Sequence, residues 1–363
     1  MKKILAVLLS LCPFVPLSAR AETGCNDMTA PPARALGLDE VVRIGLCRNP
    51  TTAAAYLSAE AARFNKNAQY GNYLPSINIG ADASKPFRGN DWGEISTGAS
   101  VSASWLLFDF GKRLADFNAM ESVWRATGFD YAAATQNFVY DTIAAYYGLL
   151  SANAEVDASR DLLATAKQAR DTADKKFRAG AVARADLLKA ETTYASRNVD
   201  LQRMEGLAEI ARGRLLALLS FPQTSGISIV DAAFVPAPDE RRTIENLIAD
   251  AKLKNPSLQS SAENENAARH RRNSAILRRL PSVSLSAGAD YNLDNDFSGN
   301  DHDRFSGAIA VRASMPIFAG FSHIYAQRAA QANYERAGEL YRASSDNTEL
   351  NVFSAHQNYL TAI

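Results

Sequence analysis

Leu74-Pro75-Ser76-Ile77-Asn78-Ile79-Gly80-Ala81-Asp82-Ala83-Ser84 decides the fold, because it returns about 206 residues later as Leu280-Pro281-Ser282-Val283-Ser284-Leu285-Ser286-Ala287-Gly288-Ala289-Asp290. Ile77, Ile79, Ala81 and Ala83 fall on one side of the first copy, and Val283, Leu285, Ala287, Ala289 and Tyr291 on one side of the second. Serine, asparagine, glycine and aspartate fill the positions between. A period of two marks a strand whose two faces meet different surroundings. Each strand is followed by another: Ala99, Val101, Ala103, Trp105 and Leu107 alternate with serines, and Ile309, Val311, Ala313 and Met315 repeat the pattern. Four strands in two hairpins, 75–108 and 281–317, are expected. The connections Lys85 to Ser96 and Asn292 to Arg304 are rich in Gly, Asn and Asp, as surface loops are.

Outward from the hairpins the echo continues. Asn49-Pro50 returns as Asn255-Pro256, Leu107-Phe108 as Ile317-Phe318 after a slightly longer hairpin, and Thr142 to Ala152 aligns with Val352 to Ala362. The chain is therefore two repeats in the same order, 22–221 and 222–363. Each strand has the length of about ten residues that a tilted strand needs to cross a bilayer. Four strands cannot close, and an open edge is intolerable in lipid, so other copies must complete them. Three copies giving twelve strands is the expectation. Aromatics at the hairpin ends fit interfacial girdles: Phe87, Trp92, Trp105, Phe108 and Phe110 for one hairpin, and Tyr291, Phe297, Phe305, Phe318 and Phe321 for the other. Ordinary core aromatics of a soluble sandwich are the alternative.

All 13 prolines lie outside Gly111 to Phe221, and none occurs after Ile317. Those proline-free tracts are the helices. From Lys112 to Arg178 a helix at about 1.5 Å per residue reaches on the order of 100 Å. Ala179-Gly180-Ala181 interrupts it. Ala183 to Ser220 then carries apolar residues at spacings of mostly three and four, among them Leu187, Leu188, Leu201, Met204 and Leu215, which predicts an antiparallel coiled hairpin over 112–220 with its tip at Gly180.

Met1-Lys2-Lys3, the apolar run Ile4 to Leu17 and Ala19-Arg20-Ala21 have the form of a signal peptide over 1–21. Loss of Lys2, Lys3 and Arg20 leaves 36 basic against 39 acidic side chains, a balance that gives no reason to expect nucleic acid. Cys25 and Cys47 remain as a pair in an oxidising compartment and are expected to bridge, with two unpaired, buried thiols as the alternative. Neither Cys12 nor Cys25 sits in a convincing lipobox, so no lipid anchor is expected. The four histidines, His270, His302, His323 and His356, are scattered, and no metal, phosphate-loop or nucleophile motif is present. No enzyme, cofactor or metal site is expected. His302 within Asn300-Asp301-His302-Asp303 fits a solvated loop better than a weak metal site. Arg269-His270-Arg271-Arg272 with Arg278-Arg279 reads as a solvated helix face, or less readily as a site for lipid or partner carboxylates.

Leu38-Asp39-Glu40-Val41-Val42, Asn49-Pro50, Leu74-Pro75-Ser76, Leu107-Phe108-Asp109-Phe110-Gly111 and Phe177 to Leu188 together resemble the TolC family of outer-membrane channel proteins. The resemblance implies an α+β membrane protein and a homotrimer. Its twelve-stranded barrel in outer-membrane lipid continues into long periplasmic helical coiled-coil hairpins. These dock on a periplasmic adaptor, the membrane fusion protein, and on an inner-membrane ABC or proton-driven pump. It also places the tip, with Arg178, Gly180, Val182 and Asp186, at the adaptor and the periplasmic entrance. A plain helix cap for Gly180 and a first-turn charge for Asp186 explain the same residues without an adaptor. Repeat two departs from the pattern by stopping at Ile363, about 70 residues short of a second complete hairpin. A fragment or a truncated product is expected, with a non-functional trimer wall in the latter case. The implied function is an exit duct for type I protein secretion. The alternatives are a multidrug efflux channel and a periplasmic coiled-coil scaffold without a pore.

Overall fold

Two asparagine-proline pairs break the helices that precede the strands. A computed structural model describes residues 30–85, 87–89, 91–92, 95–230, 243–292 and 305–362. The signal-peptide segment, Cys25, Phe297 and His302 lie outside the described residues, and with Cys25 goes any test of its pairing with the half-buried Cys47. Helix α1 (Leu38–Arg48) ends at Asn49, and α2 (Pro50–Ala68) starts on the proline; α5 (Ile244–Lys254) ends at Asn255, and α6 (Pro256–Leu277) starts on the next proline. Proline suits the first helical position, where its missing N–H has no partner to lose. Asn255 Oδ1 accepts from the Leu258 amide at 3.2 Å, which satisfies one of the donors a helix start leaves open.

Between helices run the short 3-10 turn Gln69–Tyr73, β1 (Ser76–Ser84), β2 (Phe87–Arg88), β3 (Asp91–Trp92) and β4 (Ser96–Phe108) in repeat one, then α3 (Lys112–Arg178) and α4 (Arg184–Leu218). Repeat two supplies β5 (Ser282–Asn292), β6 (Phe305–Ser314) and α7 (Ser322–Ala362). Lys112 to Arg178 does form one helix, 67 residues long. Two details differ from the sequence expectation. The 85–96 connection, read as a loop, carries the two-stranded ribbon β2–β3, with Phe87 packed on Trp92 at 5.4 Å between ring centroids. Asn292, assigned to the second connection, is the last residue of β5.

The described chain forms two compact units that cut across the repeats, 30–50 with 138–230, and 51–137 with 243–362. In the first, Leu36, Val41, Ile44, Tyr146, Leu149, Leu215, Leu216, Leu219 and Phe221 form the core. Tyr146 is fully buried, and its hydroxyl is satisfied by donating to the backbone: Oη lies 3.2 Å from Leu36 O and 2.5 Å from Val230 O. Leu36 and Ile229 also form a parallel β-bridge. Arg48 caps the end of α4, donating to Leu219 O at 3.2 Å and Ser220 O at 3.1 Å while lying over the Phe221 ring. Gly45 lets α1 approach α3 closely: a Cβ there would stand 2.4 Å from Phe138 Cζ and 3.2 Å from Leu219 Cδ2. Gly45→Val is therefore expected to destabilise this unit by about 2 kcal/mol or more through overpacking, read as a lower unfolding midpoint by tyrosine fluorescence.

The second unit holds the four-stranded sheet and the helices next to it. Lys66 lies over the Trp124 ring at 3.9 Å in repeat one, and Arg272 over the Tyr334 ring at 5.1 Å in repeat two. These are the same positions of the two repeats, so a cation on the helix that precedes the strands meets an aromatic on the long helix twice. The structure thereby corrects the reading of the basic run on α6. Arg269, Arg271, Arg278 and Arg279 are exposed, but His270 and Arg272 are half-buried. Burial, followed by the charge of Arg269, holds His270 below the usual imidazole range, opposed by Glu263 and Glu121.

Candidate functional site

The sheet order is β1-β4-β5-β6, antiparallel throughout, so the second strand of one hairpin pairs with the first strand of the other. The registers Ile79↔Val101, Val101↔Ala289, Ala289↔Gly307 and Ala287↔Ile309 carry one apolar row after another across all four strands. This face is bare. Ile77, Ile79, Ile309 and Val311 are each 65% to 80% exposed. The opposite face is lined by Ser76, Asn78, Asp82, Ser100, Ser102, Ser104, Ser284, Ser286, Asp290, Ser306 and Arg312, which fall between the apolar positions in the same registers. One face suits hydrocarbon and the other suits water, and both β1 and β6 present an unpaired edge.

Aromatics sort by the ends of the sheet and not by hairpin as the sequence reading had them. Phe87, Trp92 and the Tyr291↔Phe305 pair stand at the hairpin end. Trp105, Phe108, Phe110, Phe318 and Phe321 stand at the helix end, with Phe108 on Phe110 at 4.7 Å and Phe318 on Phe321 at 5.5 Å. Along β6 the nine steps from Phe305 to Ser314 cover roughly 30 Å, or about 23 Å of bilayer at a tilt near 40°, close to the height of an apolar barrel band. Among the described residues no helix is long and apolar enough to cross a membrane.

At the helix end of the sheet, β4 bulges at Leu107 and turns into α3 through two left-handed residues, Phe110 (φ 54°) and Gly111 (φ 89°). Repeat two makes the same turn with Gly320 (φ 59°) and Phe321 (φ 65°), so the glycine and phenylalanine exchange order while the backbone does not. In repeat one a buried ion pair fastens this turn. Asp109 Oδ2 accepts from the Arg113 amide at 2.8 Å and from Arg113 Nε at 3.2 Å, and Oδ1 accepts from the Gly111 amide. The Arg113 guanidinium also donates to Leu106 O at 2.7 Å, Asn72 O at 3.0 Å and Leu107 O at 3.2 Å, and it lies over the Tyr73 ring. Side-chain exposure is 11% for Arg113 and 10% for Asp109. A charge so buried is tolerable because nearly every hydrogen-bonding direction is used. Sequence reading missed this lock, although an aspartate four residues before an arginine at a helix start was its visible signal. In repeat two Ala319 and His323 take the two places. Nε2 of His323 is buried without a partner among the described residues, and a groove of about 510 Å³ opens between Ile276, Leu280, Ile317, Phe318 and Phe321.

The tip of the coiled hairpin has a different geometry. Arg160 Nη2 reaches Glu205 Oε1 at 3.2 Å, and Arg170 lies over the Tyr194 ring at 4.6 Å, pairs that place α3 and α4 antiparallel. Arg170 also pairs with its neighbour Asp171, and its hydrogen bond holds that carboxyl below the usual range. At the turn, Gly180 N donates to Phe177 O at 2.9 Å and Ala181 N to Lys176 O at 2.8 Å, the two bonds that close a helix on a left-handed residue. Gly180 has φ 72° and open space where a Cβ would be. Gly180→Ala is expected to cost about 1–2 kcal/mol through the left-handed backbone alone, seen as faster hydrogen exchange at amides 179–181. Asp186 is exposed in the first turn of α4 and accepts from the Ala183 amide at 3.3 Å. Arg178 is exposed and pairs with Asp174 at 3.0 Å, and Val182 is half-buried. The four tip residues thus lie within one turn of each helix end.

Residues 41–220 match the family model described as outer membrane efflux protein. The chain belongs to the outer membrane efflux protein family. As a member of that family it is a protein of the Gram-negative outer membrane with a periplasmic extension, TolC-like in kind. Protein CyaE of Bordetella pertussis is 23% identical over 84% of this chain and 65% of its own length. Outer membrane protein TolC of Escherichia coli is 22% identical over all of this chain and 73% of its own. The chain thus spans about two thirds to three quarters of the length of these two efflux-family relatives. Among solved structures, the CmeC outer membrane channel of Campylobacter jejuni shares the fold with a TM-score of 0.73 at 20% identity, over 85% of this chain and 67% of that one.

Proposed function

We propose that the chain is one subunit of a homotrimeric outer-membrane exit duct in a tripartite export system, and that it performs no bond chemistry. The observation that carries this is the open four-stranded sheet, with a continuous exposed apolar face, a serine-rich opposite face and two unpaired edges. Three copies supply twelve strands, enough to close a lumen whose lining is the polar face. The helical tip with Arg178, Gly180, Val182 and Asp186 then receives a periplasmic adaptor, and an inner-membrane pump supplies the energy.

Type I protein secretion, with an ABC transporter as pump, is the preferred assignment, on the Phe108-Asp109-Phe110-Gly111 element. Multidrug efflux with a proton-driven pump uses the same duct. Complementation separates them. In cells lacking their own outer-membrane channel, expression of this chain is expected to restore export of a type I substrate protein to the medium and not drug resistance. The reverse result overturns the assignment but keeps the duct. A soluble periplasmic monomer that restores neither favours a coiled-coil scaffold.

A further inference from the structure

The two hairpins share one register, and that symmetry extends to the edges the chain leaves open. Ser76↔Ser104 in the first hairpin corresponds to Ser282↔Ser314 in the second, and Asn78↔Ser102 to Ser284↔Arg312. First strands of the two repeats are thus related by about 206 positions and second strands by about 210. Inside the chain, repeat one meets repeat two along β4–β5, with Ser100↔Asp290, Ser102↔Gly288 and Ser104↔Ser286 opposite. A ring of identical copies also needs the converse seam, from repeat two of one copy to repeat one of the next, which joins β6 to β1. Carrying the β4–β5 register to that seam by the two offsets sets Ser314 opposite the partner's Gly80, and Ala310 opposite the partner's Ser84.

We propose that β6 pairs with β1 of a second copy in the register that sets Arg312 directly opposite the partner's Asp82, as an ion pair on the polar face at every seam. This rests on the copy-completed sheet proposed above. Charge complementarity supports it independently of symmetry. Neither Arg312 nor Asp82 has an ion pair among the described residues, because their neighbours within the chain are the uncharged Ser284 and Gly98. Each sits on an edge strand, on the face shared with the serines. Slipping the seam by one residue would turn every apolar side chain of β6 to the polar face. Slipping it by two would set Arg312 opposite glycine or serine and leave both charges without a partner. The apolar face agrees: the same register brings Val311 opposite the partner's Ala83, a bulky residue against a small one, as Val101 stands opposite Ala289 in the seam within the chain. Exposed to a water-filled lumen, such a pair selects register more than it strengthens association.

Disulfide scanning in outer membranes tests this. Arg312→Cys combined with Asp82→Cys is expected to give covalent multimers at least about tenfold above Arg312→Cys with Gly80→Cys or with Ser84→Cys, because directly opposed Cβ atoms lie about 5 Å apart and diagonal ones about 7–8 Å. Each single-cysteine variant sets the background. In parallel, Arg312→Asp and Asp82→Arg are each expected to reduce the yield of assembled protein, and the double reversal to restore it. Multimers strongest at the Gly80 or Ser84 position, or assembled protein with no crosslink at any of the three, overturn the register and leave assembly standing. Monomers in every variant and in the parent chain overturn assembly itself.

Discussion

Arg113→Met is expected to destabilise the protein by about 3–5 kcal/mol, the cost of removing one partner from a buried ion pair. The methionine fills much of the volume, but it leaves the Asp109 carboxylate buried 10% exposed, and it takes the donor from Leu106 O, Asn72 O and Leu107 O. Lysine does not rescue it, since a single ammonium cannot serve three divergent carbonyls and the ring of Tyr73 together. Removing the acid as well separates packing from charge. The double variant Asp109→Ala with Arg113→Met is expected to lose less than the sum of the two single losses, because no unpaired charge remains. Repeat two supplies an internal control. His323 stands where Arg113 stands but has Ala319 in the place of the aspartate, and its buried Nε2 has no partner among the described residues. His323→Met is therefore expected to be neutral or slightly stabilising. Urea midpoints of the detergent-solubilised protein measure all five variants, Arg113→Met, Arg113→Lys, Asp109→Ala, the double variant and His323→Met. Equal losses at Arg113 and His323 would show that the ion pair is not what holds the turn.

Ile309→Arg is the second large effect, and its sign reports the solvent of the apolar face. Ile309 is 80% exposed on β6, among Ala287, Val311 and other small or apolar side chains of the same face. In water such a surface change lies within about 0.5 kcal/mol of neutral. In a bilayer an arginine on the lipid face of a barrel near the midplane costs about 2–4 kcal/mol, once for each copy. Assembly in outer membranes is expected to fall sharply for Ile309→Arg and to stay near the parent level for Ser306→Arg on the polar face. Measured in vesicles by heat-modifiable gel mobility, equal behaviour of the two variants would mean that the sheet does not face lipid.

Much of this was legible because local signals agreed. The alternation around Ile77 and Ile79 located β1, its echo at Val283 and Leu285 located β5, and the gap in proline between Gly111 and Phe221 marked the helix Lys112–Arg178. The Ala179-Gly180-Ala181 break marked the tip. The pairing of β4 with β5 was not legible. All four strands carry the same apolar-small alternation, so nothing in any one of them names its neighbour, and the contact joins residues far apart in sequence. The Asp109–Arg113 lock was only half visible, as an acid four residues before a base. Its acceptors, the carbonyls of Asn72, Leu106 and Leu107, are backbone atoms, which leave no mark on sequence. The swapped order of Phe110-Gly111 and Gly320-Phe321 hid the common turn, because phenylalanine at positive φ is uncommon and not expected from its side chain. Half-burial of His270 and Arg272 followed from helix packing, which a run of basic residues does not reveal.

The sheet holds too few strands to close on itself while one of its faces is apolar and bare, and on this rests the proposal that copies complete one another in lipid. Native mass spectrometry of the protein released from outer membranes in mild detergent tests that most directly. Three copies per particle is the expected stoichiometry; a particle of one copy, with the strands folded, would contradict it.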